Sequence, residues 1–103
     1  MHERALRHLV LFSFKADANP GHVHAIEQAF CALPDEISGI VEFEWGTNVS
    51  PEGLAQGFTH CFLVTFYSEE DRDAYLPHPA HQSFVEKLQP ILDKVLVIDY
   101  WAR

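Results

Sequence analysis

Apolar residues recur along this chain with two different periods. In Leu6–Phe14, His8, Val10, Phe12 and Phe14 alternate with Leu9 and Leu11, which predicts a strand with apolar residues on both faces. Asn19-Pro20-Gly21 interrupts that run. Val23, Ile26, Phe30 and Leu33 follow at helical spacing, and Pro34 is expected to end the helix. Residues 40–45 predict a second strand, with Val41, Phe43 and Trp45 opposite Glu42 and Glu44. Residues 46–57 are a loop rich in turn formers, the natural place for variation or for a lid. Residues 58–66 predict a third strand, with His60, Phe62, Val64 and Phe66 on one face. Ser68 followed by Glu69, Glu70 and Asp71 is an N-cap pattern for a short helix ending near Tyr75-Leu76-Pro77. His78-Pro79-Ala80-His81 opens another helix, with Pro79 at its first position and Phe84, Leu88, Ile91 and Leu92 on its apolar side. Pro90 ends or kinks it, and residues 95–101 form the last strand.

The order β-α-β-β-α-(α)-β predicts an α+β fold, a ferredoxin-like sandwich with one four-stranded antiparallel sheet and helices on one face. The helices cover only one side of strands that are apolar on both. The cheapest second cover is another copy of the same sheet. A homodimer, its sheets packed face to face into an α/β barrel, is therefore expected.

Composition narrows the partners. The 103 residues suffice for one compact domain, and 48% of them are apolar, so a core is available. A net charge of −8 with neutral histidines argues against sequence-independent nucleic-acid binding and equally against docking on anionic membranes. Cys31 and Cys61, 30 residues apart with no Cys-x-x-Cys, read as buried free thiols. No stretch has the length of a membrane span or the form of a signal peptide. A cytoplasmic location is expected.

The chemistry concentrates in histidines. His8 and His60 each stand near the start of a strand, on its aromatic face. If those strands pair in register, two imidazoles meet at one end of an apolar wall. They form an acid–base site there, or they are two core histidines satisfied by hydrogen bonds. Tyr75 closes the core or donates a hydrogen bond. His81, three residues before Phe84, falls on a buried helix face. His78 reads as a loop residue or cap, and His22 and His24 as solvated. No carboxylate or cysteine is spaced to complete a zinc set with His78 and His81, so no metal is expected. No phosphate loop, Ser-His-Asp order or cofactor fingerprint is present, so no cofactor is expected.

Several segments together resemble the stress-responsive A/B barrel (Dabb) family of dimeric α/β-barrel proteins. They are Arg7-His8-Leu9-Val10-Leu11-Phe12-Ser13-Phe14-Lys15, Trp45-Gly46-Thr47-Asn48-Val49-Ser50, Phe58-Thr59-His60 through Thr65-Phe66, Tyr75-Leu76-Pro77-His78-Pro79-Ala80-His81, and Ile98-Asp99-Tyr100. They span nearly the whole chain in order, so residues 1–103 read as a single Dabb domain. The family includes stress-related proteins and a plant polyketide cyclase that closes a linear tetraketide by aldol condensation. The resemblance puts the family's strand-one histidine on His8 and its strand-three histidine on His60. It carries the cyclase's tyrosine to Tyr75 and the second histidine of its His-Pro-Ala-His segment to His81. Where the cyclase has a tyrosine in its first helix this chain has Phe30, which removes a phenol donor.

The resulting expectation is His60 as base and Tyr75 as donor, with His8, Val10, Phe12, Phe30, Phe62, His81 and Phe84 around a small apolar substrate. Three functions stay open at this point: a dimeric binder of a small organic molecule, a cofactor-independent cyclase or lyase using His60 and Tyr75, and a non-catalytic stress-protective oligomer.

Overall fold

A computed structural model describes residues 4–103; the lead-in Met1–Glu3 lies outside the described residues. The elements are β1 (Leu6–Phe14), α1 (Pro20–Glu36), β2 (Glu42–Thr47), β3 (His60–Phe66), α2 (Glu69–Tyr75), α3 (Pro79–Leu88), a 3-10 turn over Gln89–Ile91, and β4 (Leu92–Trp101). The strands form one antiparallel sheet in the order β2-β3-β1-β4, which is the ferredoxin-like topology expected from the order of elements.

Side-chain caps set where the helices begin. Asn19 Oδ1 accepts from the Gly21 N–H at 2.7 Å, Ser68 Oγ from Asp71 N–H at 3.1 Å, and His78 Nδ1 from Ala80 N–H at 3.0 Å. Each satisfies a donor that a helix start leaves free. His78 is thus a cap. Pro34 does not end α1, which runs two residues further. So near the C-terminus the ring removes one backbone bond, and burial of Leu33 and Ile37 retains the last turn. Gly39 follows with φ +104°, a conformation that favours glycine, and a Cβ there would meet the Asp71 side chain at 3.3 Å. β4 begins three residues earlier than expected, because the 3-10 turn at Pro90 delivers Leu92 directly opposite Phe14.

The core lies between the sheet and the helices. Phe30 of α1 stacks on Phe62 of β3 with centroids 4.2 Å apart and planes at 7°, and Phe84 of α3 lies 4.8 Å from Phe30. Val10, Phe12, Phe62, Val64 and Phe66 floor this layer. The opposite sheet face carries Leu96, Ile98 and Tyr100, all more than two-fifths exposed, beside half-buried Leu9, Leu11 and Leu63. Cys61 is exposed on this face and Cys31 only half-buried, so the two free thiols are not core residues as expected. No helix among the described residues is long and apolar enough to cross a membrane.

Candidate functional site

Antiparallel pairing decides where the two strand histidines stand. His8 lies opposite Val64, and His60 opposite Phe12. They share a face but sit four positions apart along the ladder, on the order of 13 Å at strand rise. The expected imidazole pair at one end of the wall does not form. Two residues near the starts of neighbouring antiparallel strands necessarily occupy opposite ends.

His60 is fully engaged where it stands. Its Nε2–H donates to Glu27 Oε2 at 2.8 Å, and its Nδ1 pairs with Thr59 Oγ1 at 2.8 Å. Its ring stacks parallel to Trp45 and meets Phe14 edge-on at 4.9 Å. Both ring nitrogens have protein partners, so His60 ties α1 to β3, and it also borders a separate cavity of about 300 Å³ beside the 46–57 loop.

His8 lies at the other end, beside a half-open cavity of about 400 Å³ between the sheet and helices α2 and α3. Seven of the nine expected residues line it: His8, Val10, Phe12, Phe30, Tyr75, His81 and Phe84. His60 and Phe62 do not; Phe62 is fully buried beneath Phe30. No residue of the 46–57 loop borders this cavity, so the loop is not its lid. Leu88, Leu92, Val95 and Val97 complete the apolar wall.

Three polar side chains face one another across that wall. The Tyr75 ring is 4.5 Å from His81 and 5.6 Å from His8, centroid to centroid. His81 Nδ1–H donates to the Leu76 carbonyl at 2.8 Å. Because that partner only accepts, the neutral ring carries its lone pair on Nε2. His8 Nδ1–H donates to Asp99 Oδ1 at 2.7 Å, which leaves its Nε2 free in the same way. Arg72 Nη1 donates to Asp99 Oδ2 at 2.8 Å, and Arg72 Nε to Asp73 at 2.8 Å. Among the described residues no buried side-chain nitrogen or oxygen lacks a partner. Among the described residues the Tyr75 hydroxyl makes no side-chain hydrogen bond, and Tyr75 lines the cavity.

Burial sets the protonation of these groups. Desolvation pushes the Tyr75 phenol well above its ordinary value, so it stays a donor. Desolvation lowers His81 below 6.5, against the opposing effect of its bond to the Leu76 carbonyl, and a charge on nearby His8 lowers it further. A neutral imidazole with a free Nε2 beside a protonated phenol can accept a proton at one atom and donate a hydrogen bond at the other. Among the described residues no three His, Cys, Asp or Glu side chains converge to hold a metal.

The model of the Stress responsive A/B Barrel Domain (Dabb) matches residues 6–102. The chain belongs to that family. Stress-response A/B barrel domain-containing protein HS1 of Arabidopsis thaliana is 41% identical over 95 residues, covering 92% of this chain and 87% of that protein. Olivetolic acid cyclase of Cannabis sativa is 29% identical over 99 residues, covering 96% and 98%. Among solved structures, the hydroxynitrile lyase of Passiflora edulis superposes with a TM-score of 0.91 at 26% identity, covering 99% and 96% of the two chains. A protein of unknown function from Jannaschia sp., described as dimeric and ferredoxin-like, has a TM-score of 0.81 at 27% identity, covering 93% and 97%.

Two residues of this Dabb site escaped the sequence reading. Asp99 interrupts the apolar run of β4 two positions after Val97, and that alternation was the available signal. Arg72 carried none, because only the packing of α2 against the sheet brings it to Asp99.

Proposed function

We propose that this Dabb protein is a cytoplasmic homodimer. It binds a small, largely apolar organic molecule in the His8–Tyr75–His81 cavity and performs cofactor-independent acid–base chemistry on it. The observation that carries this reading is the grouping of two imidazole Nε2 atoms and one phenol, unclaimed by the protein, inside an apolar cavity. His81 Nε2 takes a proton from a carbon beside a carbonyl or from a hydroxyl. The Tyr75 hydroxyl holds the oxygen on which charge develops, and Asp99 fixes the ring of His8. Relatives named as a cyclase and a hydroxynitrile lyase support chemistry of this class. The apolar outer sheet face and a dimeric structural neighbour support the homodimer.

The test is a panel of β-keto esters, β-diketones, phenols and hydroxynitriles, followed by NMR of the imidazole nitrogens and by product analysis. Ligands should move the His8 and His81 signals and leave those of His60 in place. Tyr75→Phe and His81→Ala should abolish any turnover while the chain stays folded. Binding without turnover would make the protein a binder, and a panel that moves neither ring would sink the site.

A further inference from the structure

The charge distribution around the cavity constrains its ligand beyond shape, an inference that rests on the small-molecule reading above. Among the described residues lining the cavity, none is lysine or arginine. Its single charged lining group is Asp99, a carboxylate whose two oxygens already accept from His8 and Arg72. The Arg72 guanidinium is shared between Asp99 and Asp73. Those three side chains together carry a net charge of about −1, which a proton on His8 raises only to about zero. Among the described residues lining the cavity, no lysine or arginine is left to pair with an anion. The neutral amide of Gln89 at the rim is the remaining polar side chain there.

The lining therefore favours uncharged oxygen groups. An anionic ligand would exchange water for apolar walls and a neighbouring carboxylate, with no ion partner. A ketone, aldehyde or phenol meets no such penalty. Its oxygen accepts from the Tyr75 hydroxyl, and a ligand hydroxyl donates to an open Nε2. The same desolvation that suppresses ionisation of Tyr75 acts on any anion bound beside it. We infer that this cavity selects neutral carbonyl or hydroxyl compounds and excludes carboxylates, so that a ligand with an acid group must carry it esterified, amidated or outside the cavity.

Matched pairs test this directly. Alkyl and aryl methyl ketones are titrated beside the carboxylic acids that replace the methyl group with a carboxylate oxygen, near pH 7.5, with the His8 and His81 nitrogens as readout. Each ketone should bind at least about tenfold more tightly than its acid partner. Val97→Lys places an ammonium on the cavity wall at a position half open to solvent, and should narrow or reverse that preference. Acids that bind wild-type protein as tightly as their ketones overturn the inference while leaving the binding site standing. If no member of either class moves the two rings, the small-molecule site fails and the inference falls with it. Because the wild-type comparison decides the question alone, a Val97→Lys chain that does not fold leaves the test intact.

Discussion

Replacing His60 with alanine separates a structural ring from a catalytic one. The substitution removes the bonds to Glu27 and Thr59, both 2.8 Å long. A hydrogen bond to a charged partner contributes about 1.5–3 kcal/mol and a neutral one about 1 kcal/mol. It also leaves the Glu27 carboxylate, 18% exposed, without its buried partner, and opens a slot between Trp45 and Phe14. Residual solvent at Glu27 screens part of the pair, and the stranded carboxylate and the slot offset that discount. The expected loss is about 3 kcal/mol. That is a large share of the roughly 5–15 kcal/mol that hold a domain of this size. The melting temperature should fall by about 12–20 °C. Thermal and urea unfolding followed by circular dichroism measure the loss, and imidazole NMR at a temperature where the variant is folded reports the cavity. His8 and His81 should keep their ligand response. A variant less than about 1 kcal/mol weaker that has lost that response would refute the structural reading and return His60 to the chemistry.

Asp99→Asn turns one carboxylate acceptor into an amide donor aimed at His8 or Arg72. Unfolding titrations should show a loss of about 1–3 kcal/mol for this partly exposed network, and the fixed tautomer of His8 should be lost by NMR. His81 has a folded pKa below its unfolded 6.5. Above pH 6.5 neither state binds the proton; as pH falls below it the unfolded ring is protonated first, so stability declines until the folded ring follows. His81→Gln should flatten the melting-temperature slope measured between about pH 5 and 7. Ile98→Glu puts a charge on the outer sheet face, opposite the cavity side of β4, and should convert the proposed dimer to monomer in analytical ultracentrifugation without altering cavity ligand shifts.

Much of the fold was legible because it rests on local rules. Period-two alternation located β1 and β3, helical spacing located α1 and α3, and Ser68 marked the start of α2 through a bond to a backbone three residues away. Seven residues assigned to a pocket from those faces do line one, since facing is a property of a strand or helix taken alone. Boundaries near proline shifted because burial of Leu33 and Ile91 outweighed a local preference.

Which side chains meet is a different kind of fact. From sequence, His8 and His60 are equivalent: each opens a strand on the aromatic face. The antiparallel register sends them to opposite ends, one to the cavity beneath α2 and α3 and the other to Glu27 and a smaller cavity beside the 46–57 loop. Asp99 and Arg72 are 91 and 27 positions from their partners in the His8–Asp99 and Arg72–Asp99 bonds, beyond the reach of any local pattern. The sequence by itself determined the elements, their faces and a ferredoxin-like sheet, because hydrophobic periodicity and capping act over a few residues. Only the tertiary structure decided which partners and which cavity each histidine meets, because hydrogen-bond partners and desolvation are set by neighbours that register and helix docking bring from far along the chain.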